Sequence, residues 1–420
     1  MNVLLAALGS HGDVHPFVGI GLALRARGHR VRVIANPYFA SLIEGVGLEL
    51  IPLGTAEEYV RLAKNPDLWR RIRGLRTVLS GVALYIRPMY RAIAQKTVPG
   101  ETIVAASTLA LGARVAEDQL KIPSATVHLQ PSIFRSVIDP PHLQGLYMPR
   151  GMPAWMKRVQ YGAVDWVVDP LIAPSLNEFR RELGLAAVRS ILGSYVHSPR
   201  RVIGLFPGWY APPPPDWPPQ TRLTGFPLYD ERGHSSLDPV LVSFLNEGDP
   251  PIAFTPGSAM WSGHSFFEHS ARACELLGKR GLLLTRHREH LPPSLPRNVI
   301  HVEFAPFSEL LPKCAALVHH GGIGTTAQAL ASGIPQVVVP HAHDQPDNAH
   351  RVVGLGVGRK LEPKEFRAPM IARVLTELLG SSEVKSRCRD VMRRFAGVDP
   401  IAQSCDLIEG LAPQRLVPRG

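Results

Sequence analysis

The sequence of 420 residues predicts an α/β protein of two doubly wound, Rossmann-like domains that face each other across a cleft. Three observations predict this class. The chain opens with a strand–helix–strand pattern, the same alternation restarts after residue 227, and a proline-rich segment separates the two halves. The length is sufficient for two domains that each bury a full hydrophobic core.

The first half begins with an apolar strand, Asn2 to Leu8, followed by the turn GSHGD. Pro16 favours the start of a helix that ends near Gly28, because proline is well tolerated in the first turn. Val31 to Ala35 then predicts the second strand of a βαβ unit. Further strands are predicted at 48–53, 102–105 and 124–129, and the stretch from 57 to 91 is helical in pattern.

The composition changes near residue 206, where FPGWYAPPPPDWPP contains too many prolines for a helix or an inner strand. We therefore predict a first domain at 1–205, a semi-rigid linker at 206–230 and a second domain at 231–415. The last helix of the second domain is one that can pack back on the N-terminal domain. Strands of the second domain are predicted at 251–254, 281–285, 299–304, 315–318 and 336–339, with helices at 265–278, 371–397 and 401–411. The final residues, 416–420, resemble the remnant of a thrombin site and are left out of the fold prediction.

The composition narrows the class of protein. Apolar residues make up 45% and charged residues 19% of the chain, as in soluble globular proteins. No apolar run approaches the length of about 18 residues that a membrane-spanning helix needs. The first residues enter a strand pattern without a basic leader region. The sequence therefore predicts a cytoplasmic protein, with peripheral contact to an inner membrane as the alternative.

The formal charge of +11 favours an anionic ligand and leaves an anionic membrane surface open. Basic residues crowd between Arg61 and Arg76, which favours a solvated helix face over a surface that rests on lipid headgroups. Nucleic acid is not predicted as a partner, because no recognition motif accompanies the charge. The four cysteines show neither metal spacing nor a disulfide framework.

A glycine-rich turn, HHGGIGT at 319–325, follows the short apolar run at 315–318. Its glycines, Gly321, Gly322 and Gly324, allow the backbone to approach a ligand closely. A helix predicted to start near Thr325 would turn its free N–H groups and the positive end of its dipole toward this turn. The pattern predicts an anion site and favours a diphosphate. A turn that needs glycine only for packing is the alternative.

A second strand-like run ends at Pro340, and three polar residues follow it: Asp344, Gln345 and Asn348. Their side chains are suited to hold hydroxyl groups beside a bound diphosphate. This combination predicts the donor site of a sugar-nucleotide enzyme. A capped turn after Pro340 remains the alternative for Asp344 and Gln345.

The patterns H-x-G-x-x-T, A-L-x-x-G-x-P and P-x-x-x-D-Q-x-x-N-A resemble the donor signature of nucleotide-sugar glycosyltransferases. This family includes macrolide, glycopeptide, sterol and plant glucosyltransferases. The opening GSHGDVHP resembles the bacterial members. The resemblance covers nearly the whole chain and implies the GT-B architecture, with the acceptor bound by the N-terminal half.

Residues 197–230, HSPRRVIGLFPGWYAPPPPDWPPQTRLTGFPLYD, resemble the linker of the rhamnosyltransferase B subunits of rhamnolipid biosynthesis. That resemblance implies an inverting transfer of L-rhamnose from dTDP-L-rhamnose to a 3-(3-hydroxyalkanoyloxy)alkanoate, which gives a mono-rhamnolipid. It also implies the acceptor-making subunit as a possible partner protein.

Residue roles follow from the chemistry and the resemblance together. The acceptor hydroxyl needs a base, and Asp13 is the candidate, with His11 and His15 in reserve. An N-cap role is the alternative for Asp13. The resemblance assigns the diphosphate to His319, with Ser258 and Thr325 as further contacts, and the sugar hydroxyls to Asp344 and Gln345. Phe304 matches the aromatic residue that stacks on the base. The predicted walls of an apolar acceptor channel are Tyr85, Phe134 and Trp155.

Phe307 replaces the glutamine that plant enzymes carry in the base-stacking segment, which suits a thymidine nucleotide. The chain has no Asp-x-Asp motif, so neither a metal nor a cofactor is predicted. A metal site built from the histidines at 319, 320, 341 and 343 stays open but is not favoured. Within the class, the alternative is a glucosyltransferase that uses UDP- or dTDP-glucose and a sterol, polyketide or carotenoid acceptor. Outside it, the alternatives are a nucleotide-sugar epimerase and a non-catalytic binding protein.

Overall fold

A computed structural model describes residues 1–69, 71–149, 151–230, 237–257 and 263–412. The chain forms two compact units. The first contains Met1–Pro141, Leu146–Pro227 and the chain from Asp399 on, and the second contains His142–Gly145 and Leu228–Val398. Among the described residues, no helix is both long enough and apolar enough to cross a membrane.

The first unit is built on a parallel sheet. Its strands are β1 (Asn2–Ala6), β2 (Arg30–Ala35), β3 (Glu49–Pro52), β4 (Thr102–Ser107), β5 (Ser124–His128), β6 (Val202–Gly204) and β7 (Thr221–Leu223). They lie in the order β3-β2-β1-β4-β5-β6-β7. Every residue of β1, β4 and β5 is buried, as expected for strands covered by helices on both faces. The doubly wound α/β class predicted for this half is confirmed.

The helices of the first unit include one that begins earlier than predicted. They are α1 (His11–Ala26), α2 (Ala40–Glu44), α3 (Ala56–Ala63), α4 (Arg71–Lys96), α5 (Leu111–Leu120) and α6 (Ala154–Glu182), with short helical turns at Pro37–Phe39, Pro66–Trp69, Pro131–Ile133 and Ile191–Tyr195. The Asp13 carboxylate accepts from the Ser10 N–H and so closes a capping box at the start of α1. The helix therefore begins at His11, and Pro16 lies inside it.

Residues 206–227 differ from the predicted linker, because they pack as part of the first unit. β7 pairs with β6 at the edge of the sheet. The buried ring of Trp217 stacks on Phe134 with 4.2 Å between ring centroids. Asp216 accepts hydrogen bonds from the Ser136 hydroxyl (2.8 Å) and the Val137 N–H (2.7 Å). Prolines predicted an extended chain, and the aromatic residues between them anchor it to the core.

The second unit contains a six-stranded parallel sheet. Its strands are β8 (Ile252–Thr255), β9 (Gly281–Leu284), β10 (Val299–Val302), β11 (Ala316–His319), β12 (Gln336–Val338) and β13 (Gly358–Lys360), in the order β10-β9-β8-β11-β12-β13. Its helices are α7 (Pro239–Asn246), α8 (His264–Leu277), α9 (Phe307–Leu310), α10 (Ile323–Ala331), α11 (Gln345–Gly354), α12 (Ala368–Gly380) and α13 (Ser382–Arg393), with short turns at Arg288–His290, Leu311–Lys313 and Pro363–Glu365. The doubly wound class is confirmed here too. The stretch 371–397, predicted to be helical, contains two helices, because Ser381 caps a new helix by accepting from the Val384 N–H (3.2 Å).

The last helix, α14 (Pro400–Glu409), packs against α1 and belongs to the first unit. Cys405 is fully buried there, and its thiol lies 3.8 Å from the carbonyl oxygen of Ile20. Arg27 at the end of α1 pairs with Asp406 (2.6 Å) and Glu409 (2.7 Å). A buried thiol–carbonyl contact and an ion-pair cluster therefore join α14 to α1.

Candidate active site

In the second unit, the predicted donor residues lie on loops at the carboxyl ends of its strands. Such loops form the usual ligand site of an open α/β sheet. Phe304 follows β10, the glycine-rich turn follows β11, and Asp344 with Gln345 follow β12. Ser258, which follows β8, lies outside the described residues. The topology therefore brings the predicted donor residues that the structure describes to one edge of one sheet.

The glycine-rich turn leads directly into α10, whose N-cap is Gly322, so Thr325 lies in the first turn of the helix. Gly321 has a φ of 94°, and a Cβ there would lie only 2.6 Å from Cγ1 of Val338. Only glycine fits both the dihedral angle and the space. A Cβ on Gly324 would meet no heavy atom within 4 Å. The turn is therefore tightly packed behind Gly321 and open at Gly324.

Helix α11 is tied to this turn by its polar side chains. The Asn348 amide donates to the carbonyl oxygen of Gly321 (2.9 Å) and to the Asp344 carboxylate (2.7 Å). Gln345 is buried, and its side-chain oxygen accepts from the N–H groups of His341 (2.7 Å) and Ala342 (3.1 Å). These bonds hold the loop after β12 beside the start of α10. The contact of Asp344 and Gln345 with sugar hydroxyls stays a prediction.

His319 is fully buried, and both of its ring nitrogens are bonded within the protein. Nδ1 accepts from the Gly321 N–H (3.1 Å), so Nε2 carries the proton and donates to the side-chain oxygen of Gln336 (2.9 Å). Burial lowers the pKa of His319 to about 4, so the ring is neutral at pH 7. In this structure His319 shapes the turn. Its predicted contact with the diphosphate stays a prediction.

Of the other predicted histidines, His320 lies in the glycine-rich turn, and His341 and His343 lie in the loop after β12. The His320 ring fills the space beside Gly257, where a Cβ would lie 2.5 Å from a ring carbon. Its buried Nδ1 meets no hydrogen-bond partner among the described residues, and burial lowers its pKa to about 3. His343 has a φ of 58°. In the described part of the chain, no group of three or more histidine, cysteine or acidic residues could hold a metal ion.

Phe304 and Arg286 form a pair. The sequence predicted Phe304 as a donor residue but did not predict Arg286. The Phe304 ring is 37% exposed, and the Arg286 guanidinium carbon lies 5.2 Å from its centroid. They follow the neighbouring strands β10 and β9. The pair presents an aromatic ring and a cation at the same edge of the sheet. Nothing in the sequence around Arg286 distinguished it from other surface arginines.

In the first unit, Asp13 is held at the junction of β1 and α1. The Ser10 N–H (2.6 Å) and hydroxyl (2.9 Å) both donate to Oδ2 of Asp13. Gly9 has a φ of 141°, and a Cβ on it would lie 2.3 Å from that oxygen. Burial raises the pKa of Asp13 above its usual 3.8, while the bonds from Ser10 oppose this effect. Asp13 is therefore a cap of α1 and also a carboxylate of increased basicity.

Aromatic rings lie close to Asp13. The His11 ring centroid is 5.0 Å from that of Phe39 and 6.0 Å from that of His15. Tyr38 stacks on Tyr59 at 4.5 Å, and burial, with Tyr38 and Asp13 contributing, raises the pKa of Tyr59. The reserve candidates thus lie together with rings that the prediction did not name. The signal for two of these rings was the NPYF segment directly after the second strand.

The three predicted acceptor residues lie in separate environments. Tyr85 is half-buried on α4 and donates from its hydroxyl to Glu58 (3.3 Å). Phe134 is only 1% exposed and packs inside the aromatic cluster with Trp217. Trp155 is 64% exposed at the start of α6. The structure therefore places Phe134 in the core, where its stacking with Trp217 covers the ring, and the contact of these residues with an acceptor stays a prediction.

Two parallel-sheet α/β units, one with a carboxylate at its first strand–helix turn and one with a glycine-rich helix start, match the architecture of GT-B glycosyltransferase structures. Residues 3–138 match the glycosyltransferase family 28 N-terminal domain, and residues 282–403 match the C-terminal domain of erythromycin biosynthesis protein CIII-like proteins. The O-mycaminosyltylonolide 6-deoxyallosyltransferase of Streptomyces fradiae is 30% identical, over 99% of this chain and 98% of that protein. The chain belongs to this family of glycosyltransferases.

Solved structures share the fold. The crystal structure of the kitacinnamycin glycosyltransferase superposes with a TM-score of 0.76 at 22% identity, over 98% of this chain and 99% of that one. The spinosyn rhamnosyltransferase SpnG, complexed with thymidine diphosphate, superposes with a TM-score of 0.70 at 19% identity, over 97% of this chain and 100% of that one. The predicted GT-B fold is confirmed.

Proposed function

We propose that this chain is an inverting glycosyltransferase that moves L-rhamnose from dTDP-L-rhamnose to the hydroxyl of a 3-(3-hydroxyalkanoyloxy)alkanoate, forming a mono-rhamnolipid. One observation carries the proposed transfer chemistry within the family. It is the carboxylate of Asp13, held by Ser10 at the end of β1 and made more basic by burial. The sugar and the acceptor are supported by the resemblance of residues 197–230 to rhamnolipid rhamnosyltransferases.

In the proposed step, the acceptor hydroxyl oxygen forms a bond to the anomeric carbon of the sugar. Its proton passes to the Asp13 carboxylate, and the bond between the anomeric carbon and the β-phosphate oxygen breaks, so that dTDP leaves. A hydroxyl has a pKa far above neutral, and the raised pKa of Asp13 makes it a better proton acceptor than an exposed aspartate. Because the nucleophile attacks opposite the leaving group, the anomeric configuration inverts.

The leaving diphosphate gains charge, and the start of α10 is suited to stabilise it. The N–H groups of the first helical turn lack acceptors within the helix and share the positive end of its dipole. Gly324, in that turn, leaves open space in which a phosphate fits close to the backbone. We propose that these groups act without a metal or a cofactor.

The nucleoside is proposed to stack on Phe304 beside Arg286. SpnG, which has the same fold, was crystallised with thymidine diphosphate. This supports a thymidine nucleotide as the donor nucleotide of the present chain. The S. fradiae relative acts on O-mycaminosyltylonolide, so a polyketide acceptor is the second candidate.

The test is an incubation of purified protein with dTDP-L-rhamnose and the hydroxyalkanoyl-alkanoate in the presence of EDTA, followed by mass spectrometry. We expect the rhamnoside, and no conversion of the donor when the acceptor is left out. Parallel reactions contain UDP-glucose or dTDP-glucose, and a sterol or a macrolide aglycone. Faster transfer of glucose would overturn the proposed donor, and donor conversion without acceptor would indicate an epimerase.

A further inference from the structure

Helix α6 presents large apolar side chains to solvent over its first half. Trp155 is 64% exposed, Val159 62% and Trp166 81%. Met156 and Val167 are also exposed. At a spacing of four and seven residues, Trp155, Val159 and Trp166 lie on one side of the helix. We call this surface, Trp155, Val159 and Trp166 with the neighbouring Met156 and Val167, the outer face of α6.

The opposite side of the same helix is already used for packing. Tyr161 and Val168 are buried, and further along α6 Ile172 and Leu176 share a hydrophobic core with Val82 of α4. A surface helix normally places charged side chains on the side away from its core. This half of α6 is apolar on both sides, so its outer face requires an explanation beyond folding.

The charges near the outer face are mostly positive. Lys157 is buried and donates to the carbonyl oxygen of Val137 (2.7 Å), while Asp165 is neutralised by Arg135 (2.5 Å). Arg158, in contrast, is exposed. Helix α4, which packs along α6, begins with a run of basic residues, and the Arg73 side chain there is 66% exposed and pairs with Asp67 at 3.7 Å. The chain as a whole has a formal charge of +11.

We propose that the outer face of α6 binds the surface of an anionic lipid bilayer. A ring that is four-fifths exposed has no pocket around it, so the partner must be an extended surface and not an enclosed small molecule. Tryptophan rings are suited to the boundary between headgroups and acyl chains. The surrounding arginines and the positive net charge attract anionic lipid. A second copy of this chain would bring the same positive charge and is disfavoured.

This inference does not rest on the proposed sugar or acceptor. It assigns the lipid contact to α6. From the sequence, only the basic residues between Arg61 and Arg76 were considered for contact with lipid headgroups. The structure adds the apolar component, and apolar burial together with electrostatic attraction is the combination that gives lasting binding to a bilayer surface.

The test measures binding of the full chain to vesicles of phosphatidylcholine alone and of phosphatidylcholine with phosphatidylglycerol. The test protein carries Trp166→Gln and Val159→Gln, and Trp155 is kept because it is a predicted acceptor residue. The control carries Val240→Gln, since Val240 is 69% exposed on α7 of the other unit. Thermal unfolding and dTDP binding show that each variant is folded.

We expect the unmodified chain and the control to bind the anionic vesicles, more weakly as salt is raised. The double variant should bind at least about tenfold more weakly, because aromatic and branched side chains leave water on docking. Equal binding by the double variant and the control would overturn the proposal. So would a lack of binding to anionic vesicles by the unmodified chain. Light scattering that shows a dimer of the unmodified chain and a monomer of the double variant would assign the face to a second copy instead.

Discussion

At the scale of single residues, Asp13 closes the capping box of α1 and carries a carboxylate of raised pKa, while its role as the base stays a prediction. Its Oδ2 accepts from Ser10 and so caps α1, and burial raises its pKa above 3.8. The folded state holds the proton more tightly than the unfolded state, so ionising Asp13 costs stability as pH rises through the window above 3.8. The site therefore maintains a basic carboxylate at the expense of folding free energy.

Asp13→Asn is expected to abolish most of the transfer, by about 100- to 10,000-fold, because the base is lost. Its stability at pH 7 should equal or exceed that of the unmodified chain, since no buried charge remains and the amide oxygen still accepts from Ser10. The measurements are transfer rate, dTDP affinity and urea unfolding at two pH values. Retained transfer would leave Asp13 with the capping role alone.

Gly321 and Gly324 provide a matched pair of substitutions. Gly321→Ala should destabilise the protein by about 1–3 kcal/mol, since its φ of 94° is unfavourable for alanine and its Cβ would press on Val338. Gly324→Ala has open space and gains helix propensity, so its stability should not fall. Its added methyl group should still weaken dTDP binding if a phosphate lies against the first turn of α10. Urea unfolding and calorimetric dTDP titration check both. An equal loss of stability in the two variants would contradict the described packing.

At the scale of elements, the ends of β9 and β10 place Arg286 and Phe304 together as one surface. The strand alternation in the sequence predicted that loops after neighbouring strands would meet, but not which side chains would touch. Helix α11 shows the same limit. Its polar residues were predicted to face a ligand, and the structure also uses Asn348 and Gln345 to hold the backbone of the adjoining loops.

Arg286→Ala is expected to weaken dTDP binding by about three- to thirtyfold while leaving the turnover rate of saturated enzyme nearly unchanged, because a cation over a ring contributes about 0.5–2 kcal/mol. Arg288→Ala is the control, since it removes the same charge from an exposed residue two positions further on. Titration calorimetry and initial rates provide the measurements. An equal effect of both variants would mean that only net charge matters.

Sequence patterns predicted the features of the fold that depend on residues close together in the sequence. Apolar runs predicted ten of the strands within a few residues, and glycines marked the turn that a positive φ at Gly321 requires. They failed where the cause is distant in sequence. The burial of Trp217 against Phe134, the bond from His319 to Gln336 and the packing of α14 on α1 depend on partners that periodicity does not identify. For this reason the sequence did not predict that Phe134 lies in the core against Trp217.

At the scale of the whole molecule, each unit has its own core and its own buried polar network. In the first unit, Arg114 pairs with Glu117, and the Ser198 hydroxyl donates to the same carboxylate (2.8 Å). Burial raises the pKa of Glu117, with Arg114 opposing the effect. In the second unit, the corresponding polar group is the His319–Gln336 pair. The two networks allow the units to be perturbed separately.

Arg114→Met and dTDP are therefore expected to act on different unfolding transitions. Arg114→Met leaves Glu117 buried without its cation and should destabilise the first unit by about 3–5 kcal/mol. At a hundredfold excess over its Kd, dTDP should stabilise the second unit by about 2.7 kcal/mol. Differential scanning calorimetry of both proteins, with and without dTDP, resolves the two effects. A single transition that moves with both changes would show that the units unfold together.

The return of α14 to the first unit has a consequence for the order of synthesis. The surface of α1 around Ile20 and Arg27 is translated before the second unit, whereas the helix that covers it is translated after that unit. The first unit therefore emerges with part of its apolar surface uncovered while all of the second unit is translated. Nascent chains stopped before Asp399 should accordingly expose α1 to chaperones and proteases, and chains that include α14 should protect it.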